Sequence, residues 1–360
     1  MYKKYISLSL ILALLIFVSC GKNKEEDFPF EEVPSQSESI PVETEEESEI
    51  ETESLPILQT VTVSLVGDCL LSSPNGIHNA GTYNYVADQV DPSYFFSEVQ
   101  SVFANDDLTV ANCETVFTDR ELSAVYKEED PAYWYYGPSH NAAAFSAGSV
   151  EVASVANNHA LDYGKDGYDD TVAALESYGV TVGEDMEPVY VDVGDITVGV
   201  LCCNVWSSYH TSRACDMLAQ MSECSDVQIV FPHGGSMGDY TPDEWKVAAY
   251  RRMIDAGAEV VAGSHSHRLQ PAELYNEGAV CYSLGDFCFG DAPYHENATV
   301  IMSVKFNFTD GVYTGLSYEM IPCYLYSGQR NDFKPLLVDE SEEAFANISG
   351  FMRGERESPF

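Results

Sequence analysis

The 360-residue chain has few basic residues, no Cys-x-x-Cys motif and no apolar run of membrane-spanning length. Its 17 Lys and Arg face 58 Asp and Glu, which gives a formal net charge of −41. Because nucleic-acid binding draws its affinity from basic side chains that neutralise phosphates, this shortage excludes a nucleic-acid partner. The ten cysteines include no Cys-x-x-Cys pair, so the sequence indicates neither a zinc knuckle nor a complete disulfide framework. The hydrophobic content of 45% excludes a wholly disordered chain.

The first residues form a predicted export signal. Lys3 and Lys4 precede an apolar stretch at residues 5–18, which is shorter than the ~20 residues of a spanning helix. Residues 17–20 read Phe-Val-Ser-Cys and resemble a bacterial lipobox, which implies removal of a signal peptide at 1–19 and diacylation of Cys20. We therefore expect an outward-facing lipoprotein of the bacterial cell membrane, held there by its lipid anchor. A plain signal peptide followed by an incidental cysteine is the alternative.

Residues 20–57 are predicted to be an acidic, disordered tether. Thirteen acidic residues face only two lysines there, so like charges repel and little apolar surface can be buried. Residues 58–360 still carry 45 acidic and 13 basic residues, a net charge of −32. The tether therefore does not account for the acidity of the protein.

Beyond the tether, apolar strand-like runs alternate with helix-like segments, which predicts a layered α/β domain at 58–330. Strands are expected at 60–66, 108–111, 150–156, 196–203, 227–231, 259–262 and 280–283, with a closing hairpin of 299–308 and 312–321. Helices are expected at 94–103, 141–147, 169–178 and 242–256. A C-terminal helical extension at 331–360 holds one more helix at 341–349, with Ser341 as its cap and Gly350 at its end.

Side chains that can bind a metal follow the predicted strands. In α/β sheets, ligands gather beyond the carboxyl ends of strands, so these side chains are expected to share one rim. Each has a structural alternative when taken singly: Asp68 and Asn157 suit turns, and His233 precedes a Gly-Gly turn. The full set is Asp68, Asn112, Glu114, Asn158, His159, His233, His265 and His267.

Their chemistry predicts a divalent cation site. Mixed oxygen and nitrogen donors suit Mn, Fe or Zn rather than an ion selected by thiolates. His265 and His267 are two residues apart, and their imidazoles lie on the same side if the backbone between them is extended. A cation held there lowers the pKa of bound water toward ~7 and polarises a bound oxygen.

Six motifs recur in order along residues 61–290. They read Val-Gly-Asp at 66–68, Ala-Asn-Cys-Glu-Thr at 111–115, ANNHALDYG at 156–164, PHGG at 232–235, GSHSHRLQ at 263–270 and YSLGDF at 282–287. Together they resemble the CapA family, the poly-γ-glutamate capsule synthesis proteins with a calcineurin-like metallophosphatase fold.

The resemblance implies a fold and a set of roles. The fold is a four-layer α/β/β/α sandwich of the metallo-dependent phosphatase type, with one or two divalent ions at its strand ends. The implied metal ligands are Asp68, Asn158, His233, His265 and His267. His159 is implied as the proton donor. Further catalytic candidates are Glu114 and Asp162, and the substrate-binding candidates are Asn112 and Asn157.

The chain departs from the metallophosphatase pattern at several positions. Asp68-Cys69-Leu70 stands where those enzymes have Asp-x-His, so one imidazole ligand is missing. His233-Gly234-Gly235 replaces a common His-Trp-Gly, and Gly285-Asp286 replaces a common Gly-Asn. A single ion and a pair of ions are therefore both open.

Two classes of function fit these residues. In the first, a metal-activated hydroxide attacks an amide, an ester or phosphorus in poly-γ-glutamate or another envelope polymer, in concert with capsule synthesis membrane proteins. In the second, the chain is a non-catalytic scaffold that binds the polymer. A general metallophosphoesterase is a third possibility. The −32 domain repels polyglutamate at low salt unless a cation intervenes.

Overall fold

A computed structural model describes residues 55–128, 131–290, 297–328 and 330–360. The predicted signal peptide, the lipidation site Cys20 and the tether up to residue 54 lie outside the described residues. Among the residues that are described, no helix has both the length and the apolar character needed to cross a membrane.

The described residues form seventeen strands and seven α-helices, numbered here in chain order. The strands are β1 (Leu58–Leu70), β2 (Ser73–Pro74), β3 (Leu108–Cys113), β4 (Val116–Phe117), β5 (Tyr135–Gly137), β6 (Val152–Ser154), β7 (Thr181–Gly183), β8 (Pro188–Val193), β9 (Ile196–Asn204), β10 (Val227–His233), β11 (Val260–Ala262), β12 (Leu269–Tyr275), β13 (Gly278–Leu284), β14 (Asp286–Phe289), β15 (Thr299–Thr309), β16 (Val312–Tyr324) and β17 (Leu336–Leu337). The helices are α1 (Tyr83–Ala87), α2 (Gln100–Phe103), α3 (Ala143–Ala147), α4 (Gly164–Ser177), α5 (Ser208–Met221), α6 (Glu244–Asp255) and α7 (Glu343–Met352).

Two large sheets organise these elements. The first has the order β17-β16-β15-β1-β3-β6-β7, with β14 paired to the end of β1. The second has the order β12-β13-β11-β10-β9-β8, and β2, β5 and β4 form a small third sheet. In the first sheet β1, β3, β6 and β7 run parallel, and in the second β9, β10, β11 and β13 do so. The carboxyl ends of the strands within each parallel set therefore lie along one edge of their sheet.

The main core lies between the two sheets. Because side chains of a strand alternate between its faces, Val61, Val63 and Leu65 of β1 enter this core together with Val198 and Val200 of β9. Complete burial of such a side chain contributes about 1.5–3 kcal/mol. The alternating apolar runs of the sequence thus dictate a face-to-face packing of sheets.

Helices cover the two outer faces. On the first sheet, Phe96, Phe145 and Phe287 pack in an aromatic cluster with ring centroids 6.2–6.3 Å apart. On the second sheet, Leu218 of α5 and Met253 of α6 belong to a separate buried cluster. The layers are helix, sheet, sheet and helix, so the predicted α/β/β/α sandwich is confirmed.

The predicted helix at 94–103 is wrong. The structure has a 3₁₀ turn at Pro92–Tyr94 and only one helical turn at Gln100–Phe103. The Ser93 hydroxyl donates to the Asp91 side chain and the Ser97 hydroxyl donates to the Tyr94 carbonyl, which are local bonds that compete with a continuous helix.

The C-terminal helix begins and ends later than predicted. The Ser341 hydroxyl donates to Asp339 instead of capping the helix, and Gly350 lies inside it. The chain leaves the helix at Gly354, whose φ of 71° suits a glycine beyond a C-cap. Ile348 and Phe351 of α7 are part of the core between the sheets.

Helix α5 was not predicted. Its buried residues Ala214, Leu218 and Met221 follow helical spacing, a signal the sequence does contain. The nine cysteines among the described residues are unpaired, and seven of them are buried in the manner of small hydrophobic residues.

Candidate metal centre

The predicted site residues meet where strands of both sheets end. Asp68 lies near the end of β1 and is paired in register with Asn112 of β3. His233 is the last residue of β10, and a single bridge joins it to Ser264, next to His265. The centre therefore spans the two sheets and depends on their packing.

One group of donor atoms converges on the Nε2 atom of His233. The Oδ1 atom of Asn158 lies 2.6 Å from it, the Nδ1 atom of His265 lies 3.0 Å from it, and Oε1 of Glu114 lies 3.6 Å from it. Suitable ligand atoms of Glu114, His233 and His265 all lie within 4.8 Å of one another, and all three residues are buried. Electron-pair donors packed this closely are the arrangement that a cation requires.

Glu114 also belongs to a second group, with Asp68 and His267, whose ligand atoms again lie within 4.8 Å of one another. Its side chain is 1% exposed, and neither carboxylate oxygen has a hydrogen-bond partner. Burial, reinforced by the Asp68 charge, raises the pKa of this carboxyl well above its usual range. A buried, unpartnered carboxylate is costly, and coordination to a metal compensates that cost. Glu114 is thus placed as a ligand candidate, whereas the sequence suggested a catalytic role beside the ligands.

Asp68 is held by two hydrogen bonds. The Asn112 side-chain amide donates to its Oδ1 at 2.7 Å, and the backbone N–H of His265 donates to its Oδ2 at 3.0 Å. Burial raises the pKa of Asp68 to about 6, although these donors oppose the rise. The carboxylate is oriented before any ligand arrives.

The backbone around the two neighbouring histidines is not extended, contrary to the geometry considered from the sequence. His265 has a φ of 86° and His267 a φ of 54°, both in the left-handed region. Their rings still lie with centroids 6.0 Å apart. Such backbone conformations are uncommon outside glycine and concentrate at functional sites.

Further hydrogen bonds orient the imidazoles. The Nδ1 atom of His233 lies 2.9 Å from the Ser264 hydroxyl, and Nδ1 of His267 lies 2.8 Å from Oδ1 of Asp286. Burial alone would lower the pKa of His267, but the Asp286 carboxylate raises it to about 10. Partners of this kind set the tautomer and direction of metal-binding histidines.

The predicted proton donor His159 and its partner Asp162, called here the proton-transfer group, lie beside the candidate metal ligands. Nδ1 of His159 is 2.8 Å from Oδ2 of Asp162, and the Lys127 ammonium is 2.6 Å from the other carboxylate oxygen, Oδ1. Burial lowers the pKa of His159, and Asp162 partly offsets this. The Tyr135 ring packs against the imidazole with centroids 4.6 Å apart.

Asn112 and Asn157, predicted to bind substrate, have hydrogen-bond partners within the protein. The Asn157 amide donates to Oδ1 of Asn112 and to the Cys113 carbonyl, and its oxygen accepts the backbone N–H of His159. Both side chains are nearly fully buried. Their hydrogen bonds connect Asp68 to His159 through the two asparagine side chains. Substrate contact through Asn112 and Asn157 stays a prediction.

The donor set fits a divalent metal. Three imidazoles, two carboxylates and one amide oxygen provide hard and borderline ligands, as Mn, Fe and Zn prefer. The unpartnered oxygens of buried Glu114 provide an independent sign of the same fit. Two overlapping groups that share Glu114 accommodate either one ion or two.

Residues 62–291 match the family model described as bacterial capsule synthesis protein PGA_cap. The chain belongs to this family. The matched range contains every metal-ligand candidate, from Asp68 to His267.

Three relatives illustrate the similarity of this PGA_cap chain to other proteins. It is 25% identical to the capsule biosynthesis protein CapA of Bacillus anthracis over 68% of this chain and 67% of that one. It is also 25% identical to the PGA biosynthesis protein CapA of Bacillus subtilis, over 69% of each chain. A probable polyglutamine synthesis accessory protein of Mycobacterium tuberculosis is 29% identical over 55% of this chain and 60% of its own length.

Three residues of the PGA_cap centre were missed from the sequence. Trp206 packs edge-on against His265 with ring centroids 4.7 Å apart, and its position just after β9 could have revealed it. Lys246 is fully buried on α6, its ammonium 3.2 Å from Oε1 of Gln270, and burial lowers its pKa to about 8. Lys127 lies in an irregular segment, where no pattern signals its role.

Proposed function

We propose that this chain is an accessory protein of capsule polymer synthesis that acts on poly-γ-glutamate or a related envelope polymer through a metal-dependent hydrolase or transferase centre. Its family membership and the names of its relatives support the polymer. The observation that carries the catalytic part is the convergence of Asn158, His265 and Glu114 on Nε2 of His233.

One or two ions of Mn, Fe or Zn would be held by a set of six side chains. When bound, such an ion polarises a carbonyl or phosphoryl oxygen and lowers the pKa of a water molecule. The six are Asp68, Glu114, Asn158, His233, His265 and His267.

The charges of the centre govern the approach of a polymer. Four carboxylates, those of Asp68, Glu114, Asp162 and Asp286, are 6% exposed or less. Among the described residues, the ammonium groups of Lys127 and Lys246 provide positive charge nearby. An anionic polymer is therefore repelled until cationic charge is added, so the ion would serve binding as well as reaction.

His159 is the residue that would move a proton. Its Nδ1 atom is engaged by Asp162, which leaves Nε2 as the ring nitrogen able to face a substrate. Burial lowers the pKa of His159, and the Asp162 carboxylate opposes this by favouring the imidazolium, the form that can donate a proton to a leaving group. Burial of His159 beside Tyr135 restricts competing water.

The test uses the natively purified full chain. Elemental analysis should find a transition metal, and incubation with poly-γ-glutamate should change the polymer length seen by size exclusion. His265→Ala should remove both effects, while the control His140→Ala, at an exposed histidine away from the centre, should retain them. Metal-free protein that binds polymer equally well with and without His265 would overturn the catalytic proposal. Turnover of nitrophenyl phosphate without action on the polymer would instead indicate a general phosphoesterase.

We also propose that the protein acts at the outer side of the bacterial membrane, anchored through Cys20 beside capsule synthesis membrane proteins. The lipobox-like residues 17–20 support this location. In cell fractionation, Cys20→Ser should move the protein from the membrane fraction to the soluble fraction, because the thiol that would carry the acyl chains is then missing. The proposed anchor would be contradicted if the wild type and Cys20→Ser both stayed in the membrane fraction and neither carried an attached lipid.

A further inference from the structure

Lys127 lies close to two oxygen acceptors and one ring nitrogen of the proton-transfer group. Its Nζ atom is 2.6 Å from Oδ1 of Asp162, 2.7 Å from the Tyr133 carbonyl and 3.3 Å from Nδ1 of His159. The side chain is 13% exposed, and the Asp162 side chain is not exposed at all. Lys127 is therefore a charge partner within the protein rather than a solvated surface lysine.

The segment that carries Lys127 is bound to the same site. The backbone N–H of Val125 donates to the Asp162 carbonyl at 2.9 Å, and the Trp134 indole donates to the Val125 carbonyl at 2.7 Å. The Lys127 ammonium also lies 5.8 Å from the centre of the Trp134 ring. These contacts hold Lys127 in place although it is 35 residues from Asp162 in the sequence.

The hydrogen bonds of Asp162 indicate the role of the Lys127 ammonium. Oδ2 of Asp162 accepts the backbone N–H of Tyr135 at 2.9 Å and faces Nδ1 of His159 at 2.8 Å. A carboxylate accepts from Nδ1–H strongly, whereas the neutral acid is a weaker acceptor. Because Asp162 is fully buried, its ionised form needs a compensating charge, and Lys127 is the cation in contact with it.

We propose that Lys127 is a positioning residue that pairs with the Asp162 carboxylate, so that Asp162 holds a proton on Nδ1 of His159 and directs Nε2 toward the substrate. The shorter distance from Nδ1 to Asp162 than to Lys127, 2.8 Å against 3.3 Å, agrees with Nδ1 acting as the donor. The catalytic meaning of this role rests on the proposed function, but the arrangement itself can be tested without turnover.

The test follows the His159 Nδ1 proton by NMR in the full chain loaded with diamagnetic Zn²⁺, assigned by its loss in His159→Gln. In the wild type this resonance should lie far downfield, because its acceptor is a carboxylate. Lys127→Met should move it upfield, toward its position in Asp162→Asn, and Lys127→Arg should restore it. The matched control Lys165→Met removes an exposed ion pair with Asp169 and should leave the resonance in place.

An unchanged Nδ1 resonance in Lys127→Met would overturn the proposal. If the single variant fails to fold, Lys127→Met combined with Asp162→Asn removes both charges and should fold again; failure of the double variant would equally contradict the proposed ion pair. Where the wild type turns over a substrate, Lys127→Met should lower kcat by at least ~10-fold with little change in KM. Absence of any turnover would count against the proposed function and leave the NMR result to decide the role of Lys127.

Discussion

His233 and Asn158 meet at the junction of the two sheets, with Nε2 of His233 2.6 Å from Oδ1 of Asn158. Asn158 follows β6 of the first sheet, and His233 ends β10 of the second. Their 75-residue separation in the sequence is closed only by the face-to-face packing of the sheets. Metal binding and sheet packing should consequently stabilise each other.

Glu114→Gln tests the shared ligand. The metal-free variant should be at least as stable as the wild type, because the amide leaves no carboxylate buried without a partner. The wild type should gain about 2.7 kcal/mol at a Mn²⁺ concentration 100 times Kd, and the variant should lose most of this gain. Thermal unfolding with and without Mn²⁺, together with elemental analysis, measures both effects. Glu176→Gln, at an exposed position on α4, is the control, and full metal content in Glu114→Gln would exclude Glu114 as a ligand.

Trp206 should report the arrival of an ion. Its ring lies 4.7 Å from that of His265, and the chain has only two other tryptophans, Trp134 and Trp245. Co²⁺, whose unpaired d electrons quench nearby indole emission, should quench a saturable part of the fluorescence. Trp206→Phe should lose that part, while Trp245→Phe on α6 should keep it. Equal quenching in both variants would place the bound ion away from His265.

Gly67→Ala should destabilise both the fold and the site. A Cβ atom at position 67 would lie 1.9 Å from the Gly285 carbonyl oxygen, the same oxygen that accepts the backbone N–H of Asp68. Because backbone atoms cannot yield easily, the free energy of unfolding should fall by at least ~3 kcal/mol, with a loss of metal affinity. Urea unfolding measures the change. The control is Gly328→Ala, where an added Cβ atom lies in open surroundings and the free energy of unfolding should change little. An equally large loss of stability in Gly328→Ala would show that the effect at position 67 does not come from the contact with the Gly285 carbonyl oxygen.

Glu259 should make the protein less stable as pH rises. Burial raises its pKa to about 7, although the backbone N–H of Gln228 donates to it. Between pH ~4.5 and ~7 the folded state therefore holds a proton that the unfolded state has lost, so this contribution to stability falls with pH. Glu259→Gln should unfold like the wild type at pH 4 and be about 1–2 kcal/mol more stable at pH 8. If Glu259→Gln were less stable than the wild type at pH 8, the prediction would be wrong.

Most of the metal centre could be predicted from short-range signals. Asp68, Asn158, His233, His265 and His267 each follow an apolar run, and the rule that ligands gather at strand ends brought them to one rim. Their convergence is observed among the described residues. Much of the order of strands and helices followed in the same way from periodicity, but helix α5 was missed and serine hydroxyls broke the expected helix at 94–103.

The sequence by itself determined the acidic character, the alternation of strands and helices, and the kinds of donor atom at the strand ends, because composition, periodicity and residue identity are local properties. Tertiary structure alone decided that Glu114 is shared by two ligand groups and that Lys127 compensates Asp162. Those relationships depend on which distant side chains are buried together, and the cost of burying a charge is set by its neighbours in space.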